Sequence, residues 1–323
     1  MRIMRGSLTD AGKSQYFHVV SRVVDRRFIF QDAEKDIFLM MMRKLEGFSG
    51  VEVMAYCLMT NHFHLLLRVP IRPDEISEKE VLARMKKLYS KDQMDDYLTL
   101  INDMDETVRK VFLDRFRIRM YDLSHFVREL KLRFSKYYNS RMERKGTLWE
   151  ERFKATLVEG RLNALMNTAA YIELNPVRAG IVEDPMKYRW CSYTEAVAGG
   201  RAAREGIVKL TSRMGNRISI KEALRIYREF FLECSVHQSG SRKGMDSEEL
   251  HKIRSGGSQN LTAMYLKTKV RYFTDGLIIG SREFIEEFYL NKKDFLNPLR
   301  KKISSRFVDY PDDLHSFRNT RVR

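Results

Sequence analysis

Val51–Val69 reads VEVMAYCLMTNHFHLLLRV. Two runs rich in apolar, β-branched and aromatic residues, Val51–Met59 and Phe63–Val69, are parted only by Thr60–His62. So short a connection predicts an antiparallel hairpin, ended by Pro70 and Pro73. Upstream, Tyr16–Val23 (YFHVVSRV) reads as a strand. Asp32–Phe48 then reads as a helix, with Asp32 as N-cap and Gly47 as its stop.

Downstream, residues 74–120 turn charge-rich and helical with few aromatic anchors, an insertion after the hairpin. Tyr121–Tyr138 is a stronger helix. Leu123, Val127, Leu130, Phe134 and Tyr137 recur every three or four positions and form one apolar stripe. Asn139–Gly146 is a basic turn, Leu148–Val158 a strand, and Leu162–Leu174 a helix closed by Asn175-Pro176. With the insertion set aside, the order is β-α-β-β-α-β with a further helix, the ferredoxin-like α+β pattern built on one antiparallel sheet.

Gly199-Gly200 marks a boundary, giving a domain over 1–198 and a mostly helical extension over 199–323. In that extension Ser219–Cys234 is amphipathic, and the Ser/Gly-rich residues 237–259 read as a linker. Leu261–Thr274, Gly276–Gly280 and Ser281–Leu290 read as helix, turn, helix, an arrangement suited to duplex DNA or to a helical cap. The last residues, KKISSRFVDYPDDLHSFRNTRVR, read as a loosely tied tail.

The chain has 323 residues, with 59 Lys and Arg against 43 Asp and Glu, a net charge of +16. That surplus points to a polyanionic partner and says nothing about chemistry. No apolar run reaches the length of a membrane span, and the N-terminal residues carry no apolar signal core. Three widely spaced cysteines, Cys57, Cys191 and Cys234, make neither a disulfide framework nor a thiolate metal site. A cytoplasmic, nucleoid-associated protein is expected, monomer or homodimer.

Two patterns carry chemistry. In His62-Phe63-His64 the imidazoles lie two residues apart, on one strand face, about 6–7 Å apart along the chain. They are placed to converge on one ion while Phe63 enters the opposite core; such a pair is also an ordinary set of polar positions beside a turn. Tyr171 and Asn175, four apart on a helix, share a face. They offer a phenol as nucleophile and an amide oxygen as ligand, or else a core tyrosine and a helix-ending Asn-Pro. A ferredoxin-like layout lays this helix across the sheet bearing the histidines.

MTNHFHLLLRV (Met59–Val69), GTLWEERFK (Gly146–Lys154) and YIELNPVRAGIVEDP (Tyr171–Pro185), in that order, resemble the single-tyrosine HUH transposases, most of all the REP-associated tyrosine transposases. The resemblance covers about Tyr16 to Tyr193, interrupted by the insertion. It implies cleavage and rejoining of single-stranded DNA beside hairpins through a 5′-phosphotyrosine. By the same resemblance, Tyr171 matches the nucleophile, and His62, His64 and Asn175 match the ligands of Mg²⁺ or Mn²⁺. Asn175 stands where insertion-sequence relatives usually carry a longer Gln. Arg68, Arg141, Arg144, Lys145, Arg152, Lys154 and Arg178 are candidates for a DNA groove, with Trp149 and Phe153 as bases' stacking partners or core residues. Arg178 and Gly180 also suit a simple turn. The alternative is a non-catalytic hairpin-binding regulator derived from a transposase. An RNA-binding ferredoxin-like domain and a zinc hydrolase are weaker readings.

Overall fold

The structure is a computed structural model describing residues 12–212, 218–237, 273, 276–292, 304–306 and 314–317. The core is β1 (Gln15–Arg22), α1 (Asp32–Ser49), β2 (Glu52–Leu58), β3 (His62–Val69), α5 (Leu123–Arg141), β4 (Lys154–Val158) and α6 (Leu162–Glu173). Strand order β2-β3-β1-β4, antiparallel throughout, is the expected ferredoxin-like arrangement. The hairpin forms as the sequence predicts, except that β3 starts one residue early. His62 is already in the strand, its carbonyl accepting from the Met59 amide at 2.9 Å.

Strand alternation divides β3 between two cores. Phe63, Leu65 and Leu67 enter the one under α1 and α5, while Leu66 enters the one under α6. The apolar stripe of α5 packs as expected: Leu123, Val127, Leu130 and Phe134 are buried, and Asp122 caps its first turn by accepting from the His125 amide. Pro176 stops α6, and the chain leaves through the single turn of α7 (Asn175–Arg178).

The insertion forms α2 (Glu78–Leu88), α3 (Lys91–Asn102) and α4 (Glu106–Arg117). Its aromatic residues are better used than the sequence suggested, for Tyr89, Tyr97, Phe112 and Phe116 pack on one another. Val81, Met85 and Leu113 join the core beneath α1.

Strand β4 is shorter than the expected Leu148–Val158. Trp149 bridges Val23, yet Lys154 already faces Val20, so two residues bulge out between those pairings. Beyond Gly200 the chain stays on the sheet. In α9 (Arg201–Thr211), which follows α8 (Ser192–Val197), a Cβ on Gly206 would lie 2.7 Å from the Met54 carbonyl, so only glycine lets this helix approach β2 so closely. Next comes α10 (Ile220–His237).

Among its described residues the extension is mostly helical, as expected, with short strands that the sequence did not suggest. Gly276–Gly280, read as a turn, supplies β5 (Ile278–Gly280), parallel to β4. Two pieces of the supposed tail, β6 (Ser305–Arg306) and β7 (His315–Phe317), continue the sheet in the order β4-β5-β7-β6, and α11 (Arg282–Lys292) covers its end. These strands protect the edge that β4 would otherwise expose. Apart from Phe273, the expected helix Leu261–Thr274 lies outside the described residues, as does nearly all of the expected linker. No helix among the described residues is long and apolar enough to cross a membrane.

Candidate functional site

The even-numbered residues of β1, β3 and β4 point to the α6 side. Val20 pairs with both His64 and Lys154, and Arg22 pairs with His62. His18, diagonal to His64, lies on the same face. Three imidazoles, one lysine and one arginine are thus brought to one side by alternation alone.

Across them lies α6. The Tyr171 ring meets His64 edge-on, centroids 5.7 Å apart, and His18 at the same distance. Its other side is covered by Phe273, stacked at 4.2 Å, and the Arg178 guanidinium sits 5.0 Å from its ring centroid. Tyr171 is 3% exposed, so the phenol is covered in this state. The helix expected to cross the histidine-bearing sheet does so, and the tyrosine faces His64 and His18.

Hydrogen-bond chemistry defines the imidazoles. The Asn61 amide nitrogen donates to the Arg26 carbonyl, so the amide oxygen, 2.6 Å from His62 Nδ1, must accept. Hence Nδ1 of His62 carries the proton and Nε2 the lone pair. His64 and His62 meet as a T, 5.0 Å between centroids. Burial first, then the Arg22 charge, hold His62 down at about 4, and burial holds His18 there too against the pull of the Phe273 carbonyl. His64 lies well below the usual imidazole range, chiefly through burial, with the neighbouring histidines, Arg22 and Arg178 adding to it. All three rings are therefore neutral at physiological pH, as ligands need to be.

The amide nitrogen of Asn175 donates to the Tyr171 and Ile172 carbonyls at 2.8 and 3.3 Å, closing α6. That leaves its oxygen as the atom with lone pairs to offer. Two imidazole nitrogens and one amide oxygen fit a divalent cation of intermediate hardness that keeps open positions. Among the described residues there is no group of three or more His, Cys, Asp or Glu able to hold a metal ion.

The basic candidates divide. Lys154 shares the imidazole face, and Arg178 lies over Tyr171. Arg152 lines a small cavity with Arg22 and Lys154 beside the β4 bulge. Arg68 is elsewhere, at the far end of β3, about 20 Å from His62 at strand rise. There it is tied to Glu52 at 3.0 Å and to Ser14. Arg141 pairs with Glu34 at 3.5 Å, and Arg144 holds the Asn139–Thr147 turn in which Lys145 is exposed. Trp149 and Phe153 are buried. The Trp149 indole donates to Ser135 Oγ at 2.8 Å and packs between Phe30, Phe63 and Phe134, so the packing role open to it is filled.

Sequence reasoning missed His18 and Arg22. Both belong to β1, and their meaning appears only when that strand is paired to β3, which puts their parity in register with His64.

Residues 12–108 match the family model described as "Transposase IS200 like". The matched segment holds His62 and His64 and stops short of Tyr171. The chain is thus similar to transposases, as its motifs indicate. A solved structure, "Structure of the REP associates tyrosine transposase bound to a REP hairpin", is 14% identical, covering 58% of this chain and 82% of that one, with a TM-score of 0.35. No curated protein matches the chain.

Proposed function

We propose that this chain is a transposase-type DNA strand transferase, cleaving single-stranded DNA beside a hairpin and rejoining it through Tyr171. One observation carries the reading: a phenol set edge-on against His64, on the sheet face that also bears His62, Arg22 and Lys154. The match of residues 12–108 to IS200-like transposases supports it.

In this reading the Tyr171 oxygen attacks the scissile phosphorus and gives up its proton to solvent or a nearby base. The bond from phosphorus to O3′ breaks, and the departing oxygen takes a proton to become a free 3′-hydroxyl. The 5′-phosphate stays on the tyrosine. Attack by another 3′-hydroxyl reverses the step. One phosphodiester replaces another, so no nucleotide triphosphate is consumed.

His62 and His64, through Nε2, and Asn175, through its amide oxygen, would hold Mg²⁺ or Mn²⁺. When bound, that ion supplies Lewis-acid neutralisation of the scissile phosphate. Arg22 and Arg178 add fixed positive charge on the same face, and Lys154 and Arg152 extend it toward the β4 bulge. The Phe273 ring covers one face of the Tyr171 ring, with which it is in stacking contact.

The test is a covalent adduct. A labelled hairpin oligonucleotide with a single-stranded flank is incubated with Mn²⁺ and run on a denaturing gel. A protein-linked band is expected, absent with EDTA and absent for Tyr171→Phe. An adduct formed by Tyr171→Phe removes Tyr171 as nucleophile; no adduct from any hairpin substrate favours a binding regulator.

A further inference from the structure

We propose that His18 is a positioning residue that fixes which nitrogen of His64 carries the proton, and so presents His64 Nε2 as an electron-pair donor. The inference rests on the reading of His64 as a ligand.

Its basis is a relay of three groups. His18 Nδ1 lies 3.0 Å from the Phe273 carbonyl oxygen. A carbonyl only accepts, so His18 Nδ1 carries a proton. Both His18 and His64 are 1% exposed and meet no carboxylate in these contacts, and a charged ring there would be desolvated without a counter-charge. A neutral His18 protonated at Nδ1 has a bare Nε2. That atom is 2.9 Å from His64 Nδ1, so His64 must donate from Nδ1 and keep its own Nε2 unprotonated. The two rings lie nearly coplanar, 15° between planes and 5.2 Å between centroids, the in-line arrangement a direct nitrogen-to-nitrogen hydrogen bond requires.

His62 reaches the same tautomer by a separate route, through Asn61. Two different hydrogen-bond partners therefore leave the same nitrogen bare on both imidazoles. His18 itself has both ring nitrogens engaged and is no ligand. Orienting contacts of this kind raise ligand basicity, and losing one typically costs about 10–100-fold in metal affinity.

The experiment uses the full chain, labelled with ¹⁵N-histidine and free of metal. A long-range ¹H–¹⁵N spectrum reads each ring tautomer, with His64→Gln assigning the His64 signals, and calorimetric titration with Mn²⁺ reads affinity. Expected for the wild type is a bare Nε2 and a protonated Nδ1 on His64. In His18→Phe, of similar shape but without an acceptor, His64 should become a tautomer mixture and Mn²⁺ affinity should fall about tenfold or more. His18→Gln, whose amide both donates and accepts, should restore affinity to within about threefold of wild type. A His64 protonated at Nε2 in the wild-type spectrum overturns the proposal without any variant, even where His18→Phe does not fold. Unchanged tautomer and affinity in a folded His18→Phe overturn it equally. Wild-type protein with the expected tautomer and no Mn²⁺ binding would instead remove the metal reading of His64.

Discussion

Tyr171 and Phe273 lie ring on ring, 4.2 Å apart and 12° from parallel, although 102 positions separate them in the chain. The phenol that faces the imidazoles is closed on its other side by a residue from the far end of the sequence. Burial of both rings makes this contact a support for the fold as well as a cover.

Phe273→Ala is expected to open that cover. Tetranitromethane should leave Tyr171 unmodified in the native wild type and nitrate it several-fold more in the variant, as read by peptide mapping. Equal nitration in both would mean that the phenol is reached by another path. Removing so buried a ring should also lower stability by about 3–5 kcal/mol.

Glu173 gives a pH-dependent prediction. It is buried, accepts from the Ser192 hydroxyl and from the Tyr193 amide at 3.0 Å, and burial raises its carboxyl to about 7. Cys57, Cys191, Tyr193, Tyr227 and Glu195 are the titratable groups around it. The folded protein therefore holds this proton more tightly than the unfolded chain does. Its contribution to stability is full below about 4.5 and is lost as pH rises through 7. Glu173→Gln keeps an acceptor and removes the titration. Its stability relative to wild type, from urea unfolding, should improve from pH 5 to pH 8 by at most about 3 kcal/mol. Parallel pH profiles would show that the carboxyl ionises normally.

Trp149→Ala should lower stability by about 3–5 kcal/mol, because the indole fills the core between α5 and the sheet and donates to Ser135. Trp149→Phe should recover most of the packing and lose only the hydrogen bond, about 1 kcal/mol. Urea midpoints with unchanged slope check both. A Trp149→Ala protein of wild-type stability would show that the ring is not packed as described.

Periodicity made the hairpin, the α5 stripe and the α6 stop legible, since each is a local pattern of apolar spacing or a proline. The contact of Tyr171 with His64 followed from element order, because βαββαβ connections admit few arrangements. His18 was not legible, for it reads as one polar residue in an apolar strand until the register with β3 is known. Nor were β5, β6 and β7. Strands of two or three residues show no alternation, and β5 finds its partner 121 positions away, Leu157 opposite Ile278. The early part of the expected fourth strand misled for another reason: its composition suits a strand, but the bulge beside Arg152 is a matter of tertiary register.

The insertion joins the core beneath α1 and α5, whereas the phenol and the imidazoles lie across the sheet with α6. The sheet is in effect a partition wall. Surface charge across residues 74–120 can therefore change on one side of that wall without touching the phenol and imidazoles on the other, whereas its buried residues stay tied to the room they share with β3.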